Sequence, residues 1–230
     1  LRRFDPQAVA NLPSPARRWL TYSIAPGAPL SRTVVLEMTG QFRLGLWLPM
    51  RAVQVVSPPS GLLWVARIGW GPLSFRGFDR YERDRGEMQW RLLGEIPVVH
   101  GQGADIDRSA AGRLAGEAIW TPAAFLDPGV TWHARDDCTV TAESHLGPHR
   151  VFADLRVGED GRLLAVTVHR WGNPGSDGWA EVPFGGAVAE ERTFSGMTIP
   201  TQMTVGWFYG TERAAEGEFF RLNITSARYL

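Results

Sequence analysis

The chain has 230 residues, 44% of them hydrophobic and 21% charged, with 24 cations set against 24 anions. That composition excludes a disordered chain, and the absence of a basic surplus argues against nucleic acid as a partner, because phosphate neutralisation supplies much of that affinity. Every cation is an arginine, which removes Schiff-base chemistry and a P-loop lysine from consideration.

Ser14-Pro15-Ala16 places a cap before a proline at the first helical position, so a helix is expected over 14–24. Trp19, Leu20 and Ile24 share a face of it, and Pro26-Gly27 ends it. The period then becomes twofold. Strands are expected between 33 and 100, with Gly40 closing the first and Phe42–Trp47 forming a short one of its own. Around Trp64 both faces are mostly apolar (Leu62, Trp64, Ala66, Ile68 and Trp70 against Leu63, Val65 and Arg67), which predicts a strand covered on both sides.

A helical insert is expected over 107–126, capped by Asp105 or Asp107 and interrupted at Pro122. Gly112 and Gly116 are four apart and leave a smooth groove along one side of it. Leu114 and Ala118 form an apolar stripe, and Arg113 and Glu117 are spaced to pair. Strands resume over 131–225, with Gly158-Glu159-Asp160-Gly161 as a tight hairpin. Hairpin succession means antiparallel pairing, and so many strands must curl or close. The expectation is a single mainly β (α+β) domain, 1–230: a strongly curved antiparallel sheet, or open β-barrel, wrapped around the N-terminal helix and the insert.

Several segments, taken in order, resemble an uncharacterised bacterial family known as a domain of unknown function. They are Leu12-Pro13 with Arg17-Arg18-Trp19-Leu20, Gly40-Gln41-Phe42-Arg43, Phe78-Asp79-Arg80-Tyr81, Arg108-Ser109-Ala110-Ala111-Gly112-Arg113-Leu114-Ala115, His169-Arg170-Trp171, Ile199-Pro200-Thr201 and Gly206-Trp207-Phe208. The order of elements also resembles the LolA/LolB lipoprotein carriers. That resemblance implies an incomplete barrel enclosing helices over an apolar cavity; fold alone does not imply function.

Ten tryptophans and eleven phenylalanines suit the interior of a curved sheet that holds an apolar ligand. Trp64, Arg67, Arg113, Trp120, Trp171 and Trp207 are the expected ligand-binding residues. The expected partner is a hydrophobic small molecule or lipid, with no nucleic acid, no integral membrane span, and no cofactor. The alternative is a cofactor-independent acid–base enzyme, an isomerase, cyclase or lyase acting on a hydrophobic metabolite. Its catalytic residues would be Asp79 and Tyr81, which share a strand face, with Glu117 as a third proton handler and Arg170 as the anion stabiliser.

The five histidines lack metal-ligand spacing, so no metal is expected. The single Cys138 excludes an intramolecular disulfide and is expected as a small buried hydrophobe. A cytoplasmic location is expected. Because the chain begins at Leu1 rather than methionine, an exported or anchored form stays open.

Overall fold

The structure is a computed structural model and describes residues 2–175 and 177–230. Helix α1 spans Ser14–Ser23 and is followed by six strands in meander: β1 Val34–Leu44, β2 Leu46–Ser57, β3 Gly61–Trp70, β4 Leu73–Glu82, β5 Arg85–Leu92 and β6 Ile96–Gln102. Helix α2, Ala104–Glu117, leads through two 3₁₀ turns at Ala118–Trp120 and Pro122–Leu126 into the second half. There β7 Thr131–Ala134, β8 Thr139–Leu146, β9 His149–Val157, β10 Leu163–Gly172, β11 Ala180–Phe194 and β12 Met197–Trp207 come first. The four-residue α3, Ala214–Gly217, and β13 Glu218–Tyr229 complete it.

All thirteen strands form one antiparallel sheet in the order β6-β5-β4-β3-β2-β1-β13-β12-β11-β10-β9-β8-β7. The two meanders are joined where β1 pairs β13, Val34 opposite Tyr229 and Phe42 opposite Phe220. Strands β6 and β7 are the free edges, and α2 with its turns is the segment connecting them. The helix packs against β4, β5 and β6 from one half and β8, β9 and β10 from the other. The sheet is therefore bent around it: an open barrel with the insert inside, as expected.

Alternation decides which face is the core. In β2, Leu48, Met50, Ala52, Gln54 and Val56 point inward, and in β3 Leu62, Trp64, Ala66 and Ile68 do. The outer positions Val53, Leu63 and Val65 are exposed. This corrects the expectation of a strand covered on both sides: only the concave face has a second layer, and the apolar residues of the convex face meet solvent.

Helix α1 buries Trp19 and Leu20, as its periodicity predicts. Trp19 meets Phe125 edge-on with ring centroids 4.9 Å apart. Arg18 ties the helix to two hairpin turns through the carbonyls of Gly158 and Asp137. Gly40 does not end β1. The strand runs through it to a tip at Gly45, because a Cβ at position 40 would lie 2.0 Å from the Arg221 carbonyl oxygen on β13 and only glycine permits that approach. Phe42 is thus part of β1 and Trp47 part of β2. Cys138 is exposed, not buried, since it lies in the turn before β8, where its N–H is held by the Asp136 carboxylate.

Candidate functional site

Between α2 and the concave surface lies a cavity of about 230 Å³. Its wall is aromatic, with Phe42, Trp64, Phe184, Trp207, Phe219 and Phe220 in a connected set of ring contacts. Gly116 and the backbone of Gly185-Gly186 form part of the lining. A side chain at position 185 would strike the Val166 carbonyl oxygen at 2.2 Å, so the close strand approach that shapes the wall requires glycine there.

The polar part of the wall comes from α2, β4 and β10. Arg113 stands at its centre, with NH1 donating to Asp79 Oδ2 at 2.6 Å and Nε to Glu117 Oε1 at 2.7 Å. Trp90 Nε1 donates to the other Asp79 oxygen at 2.9 Å, and the Gln54 amide donates to the other Glu117 oxygen. All four carboxylate oxygens are thereby occupied. Burial alone would weaken the Arg113 cation, but Glu117 and then Asp79 outweigh it and push its pKa up.

Arg170 differs. It ends the inward row Val166, Val168, Arg170 on β10, and its Nε donates to the Ser109 carbonyl at 3.0 Å. Its guanidinium carbon lies 4.7 Å from the Phe184 ring centroid and 5.0 Å from that of Trp207. Among the described residues no carboxylate pairs with it. Burial, and then the neighbouring Arg113 cation, hold its pKa down at about 10. A guanidinium has five N–H donors, and only one here has a named acceptor. Trp64, also on the wall, has a buried Nε1–H without a partner.

Of the expected residues, the cavity collects Asp79, Glu117, Arg170, Trp64, Arg113, Trp120 and Trp207. Trp120 is oriented by its own hydrogen bond to the Pro200 carbonyl at 3.1 Å. Three others lie elsewhere. Tyr81 shares the inward face of β4 with Asp79, but its hydroxyl is buried against the Leu146 carbonyl at 3.1 Å, away from this cavity's lining. Burial pushes that phenol up to about 12. Arg67 alternates with Trp64 and therefore sits on the convex face, bonded to Ser74 and the Gly71 carbonyl. Trp171 is turned from the Arg170 side of β10 by the same alternation, and donates to Asp105 at 2.7 Å beneath Arg108. The proposed proton-handling trio of Asp79, Tyr81 and Glu117 is accordingly not assembled at one place.

Gln54 was legible in retrospect as a polar residue on an otherwise apolar inward face; the roles of Phe42, Trp90 and Phe184 depend on strands far apart in sequence. A second cavity of about 190 Å³ lies on the opposite flank of α2, against Leu114, Ala115 and Ala118. The apolar stripe and the charged pair of α2 thus face different spaces.

A family model for a family of unknown function, DUF6544, matches residues 2–219. The chain belongs to that family. The match is to a family of unknown function, as the resemblance in the sequence implied. No curated protein matches the chain. Among solved structures, a LolA superfamily protein from Nitrosomonas europaea is similar at 9% identity and a TM-score of 0.48, over 94% of this chain and 92% of that one. A DUF1329 family protein from Desulfovibrio piger is similar at 12% identity and a TM-score of 0.46, over 86% of each chain. A domain of an outer-membrane lipoprotein-sorting protein from Vibrio parahaemolyticus is similar at 8% and 0.44, over 86% of this chain and 85% of that one.

Proposed function

We propose that this DUF6544 chain binds a small hydrophobic molecule carrying an anionic head, with the apolar body among the aromatic rings and the head on Arg170. The observation that carries this reading is a half-buried arginine that has no carboxylate partner among the described residues, on the wall of an apolar cavity. A buried charge is costly unless paired, and a ligand carboxylate or phosphate would supply the missing partner in bidentate geometry. The cavity exceeds the ~150 Å³ that accommodates benzene in an engineered core, so it suits an aryl group or a short acyl chain.

Binding is favoured over acid–base catalysis because Asp79 and Glu117 have every oxygen engaged by Arg113, Trp90 and Gln54. They hold Arg113 in place and are poorly disposed to take a substrate proton. The test is calorimetric titration with octanoate and with octanol. The acid should bind more tightly, and Arg170→Gln should bring the two together; equal affinity in the unaltered protein refutes the anionic-head assignment.

A further inference from the structure

The first meander carries two features that the cavity does not use, one on its convex face and one at an end of the sheet. The first is a row of arginines. Arg51 on β2 is directly opposite Arg67 on β3, Arg67 opposite Arg76 on β4, and Arg76 opposite Arg91 on β5. All four are exposed. Among the described residues none is in an ion pair. Like charges directly across a ladder destabilise it, and here three such pairs follow one another. The row lines a shallow groove that also contains Val53, Val65 and Phe78, with Glu37 as its acidic residue.

The second feature is the end of the meander. Strands β1–β2, β3–β4 and β5–β6 turn at the same end of the sheet, around Gly45, Gly71 and Gly94. The register staggers the three tips, since Met50, Ile68, Phe75 and Leu92 lie in one row across the strands, five residues from Gly45, three from Gly71 and two from Gly94. Each tip presents two large apolar side chains to solvent: Leu44 and Leu46, Trp70 and Leu73, Leu93 and Ile96. Leu46, Trp70 and Leu73 are 58%, 60% and 73% exposed. Scattered exposed apolar residues are ordinary, but six on three neighbouring tips at one end of the sheet form a patch. Glu95 is the acidic residue among them.

We infer that these hairpin tips dock this chain onto an anionic lipid bilayer, with the six apolar side chains in the outer acyl region and the arginine row at the phosphates. The spacing fits. The arginines lie two to five residues back from the tips, about 7–17 Å along extended strands, and interfacial apolar groups sit about 5–10 Å into the headgroup boundary. Arginine stems can lie along the apolar surface while their heads reach phosphate. Charge complementarity selects an anionic surface, because anions set against Arg51, Arg67, Arg76 and Arg91 relieve the repulsion along the row. Phe42 on the cavity wall is two residues from Leu44 on the same strand, which puts the docking end next to the binding chamber. The inference stands on the arginine row and the hairpin tips and does not require the ligand proposed above.

Flotation of the purified chain with vesicles tests it, using phosphatidylcholine alone and an equimolar mixture with phosphatidylglycerol. The chain should float with the mixed vesicles, less so as salt rises, and stay behind with phosphatidylcholine. Arg76→Gln with Arg91→Gln should weaken partition about fivefold per arginine, and Trp70→Ser with Leu73→Ser should abolish it. Trp70→Phe should remove a blue shift of tryptophan emission that vesicles induce in the unaltered chain. All these residues are exposed, and an unchanged thermal midpoint and far-UV dichroism verify that each variant is folded. Equal flotation with both vesicle types, no flotation, or a chain that instead self-associates through the tips in sedimentation would overturn the inference.

Discussion

Gly112 on α2 lies against Arg170 on β10 so closely that a Cβ at position 112 would sit 3.2 Å from the arginine Cγ. Four residues on, the same helix face meets Val168, whose side chain would lie 3.5 Å from a Cβ at position 116. The two glycines seat the helix on the strand whose inward row forms part of the cavity wall, and they let the Arg170 stem pass beneath the helix to reach the rings of Phe184 and Trp207. Gly112→Val should therefore displace the guanidinium. Overpacking of this kind costs about 1–3 kcal/mol, visible as a lower urea midpoint, and the preference for octanoate over octanol should shrink with it. A variant with unchanged preference would mean that the helix does not set the arginine's position.

Arg113 neutralises two carboxylates at once. Its side chain is 12% exposed, and those of Asp79 and Glu117 are 20% and 15%. Arg113→Met alone should cost roughly 3 kcal/mol, because it leaves two nearly buried anions unpaired. Combining it with Asp79→Asn and Glu117→Gln should recover most of that loss. Denaturant unfolding of the single and triple variants measures the difference, and equal destabilisation in both would argue that Arg113 acts through packing instead.

Filling the cavity separates binding from folding. Val166 lines the chamber beside Gly185 and Gly186. Val166→Phe should occupy the space, abolish octanoate binding and leave the thermal midpoint within a few degrees, because the added ring enters a void instead of a close-packed region. Undiminished binding would place the ligand outside this chamber.

Tyr81 should reveal itself at alkaline pH. Burial and then the Asp84 charge raise its pKa from 10.0 to about 12. The folded state therefore favours the protonated phenol. The stability this contributes is complete below pH about 10 and lost as pH rises through about 12. Tyr81→Phe should cost roughly 1–2 kcal/mol near neutrality, from the lost hydrogen bond to the Leu146 carbonyl. That cost should shrink across the same alkaline window, and a cost independent of pH would show that the phenol does not titrate with unfolding.

Local pattern determined most of the strands and the two longer helices. Val166, Val168 and Arg170 could be assigned to one face from alternation alone, and Gly112 and Gly116 to one groove from helical spacing. Recognition of the family came from the same local segments. Strand ends were less legible where glycine plays an interior role: Gly40 reads as punctuation, yet β1 passes through it because β13 approaches from behind, a fact held by residues about 180 positions away.

Tertiary structure alone decided the chemistry. Period 2 places Asp79 and Tyr81 on one face, but only the curl of the sheet sends one to Arg113 and the other to Leu146. Hydrophobicity cannot say whether an apolar face of β3 is covered; with a single inner layer of helices, Leu63 and Val65 remain at the surface. The arginine row is likewise invisible along the chain, since Arg51, Arg67, Arg76 and Arg91 become neighbours only through cross-strand register. Alternation is a property of one strand, whereas register, curvature and cavity arise between strands, and pairing between distant segments is what a linear pattern does not encode.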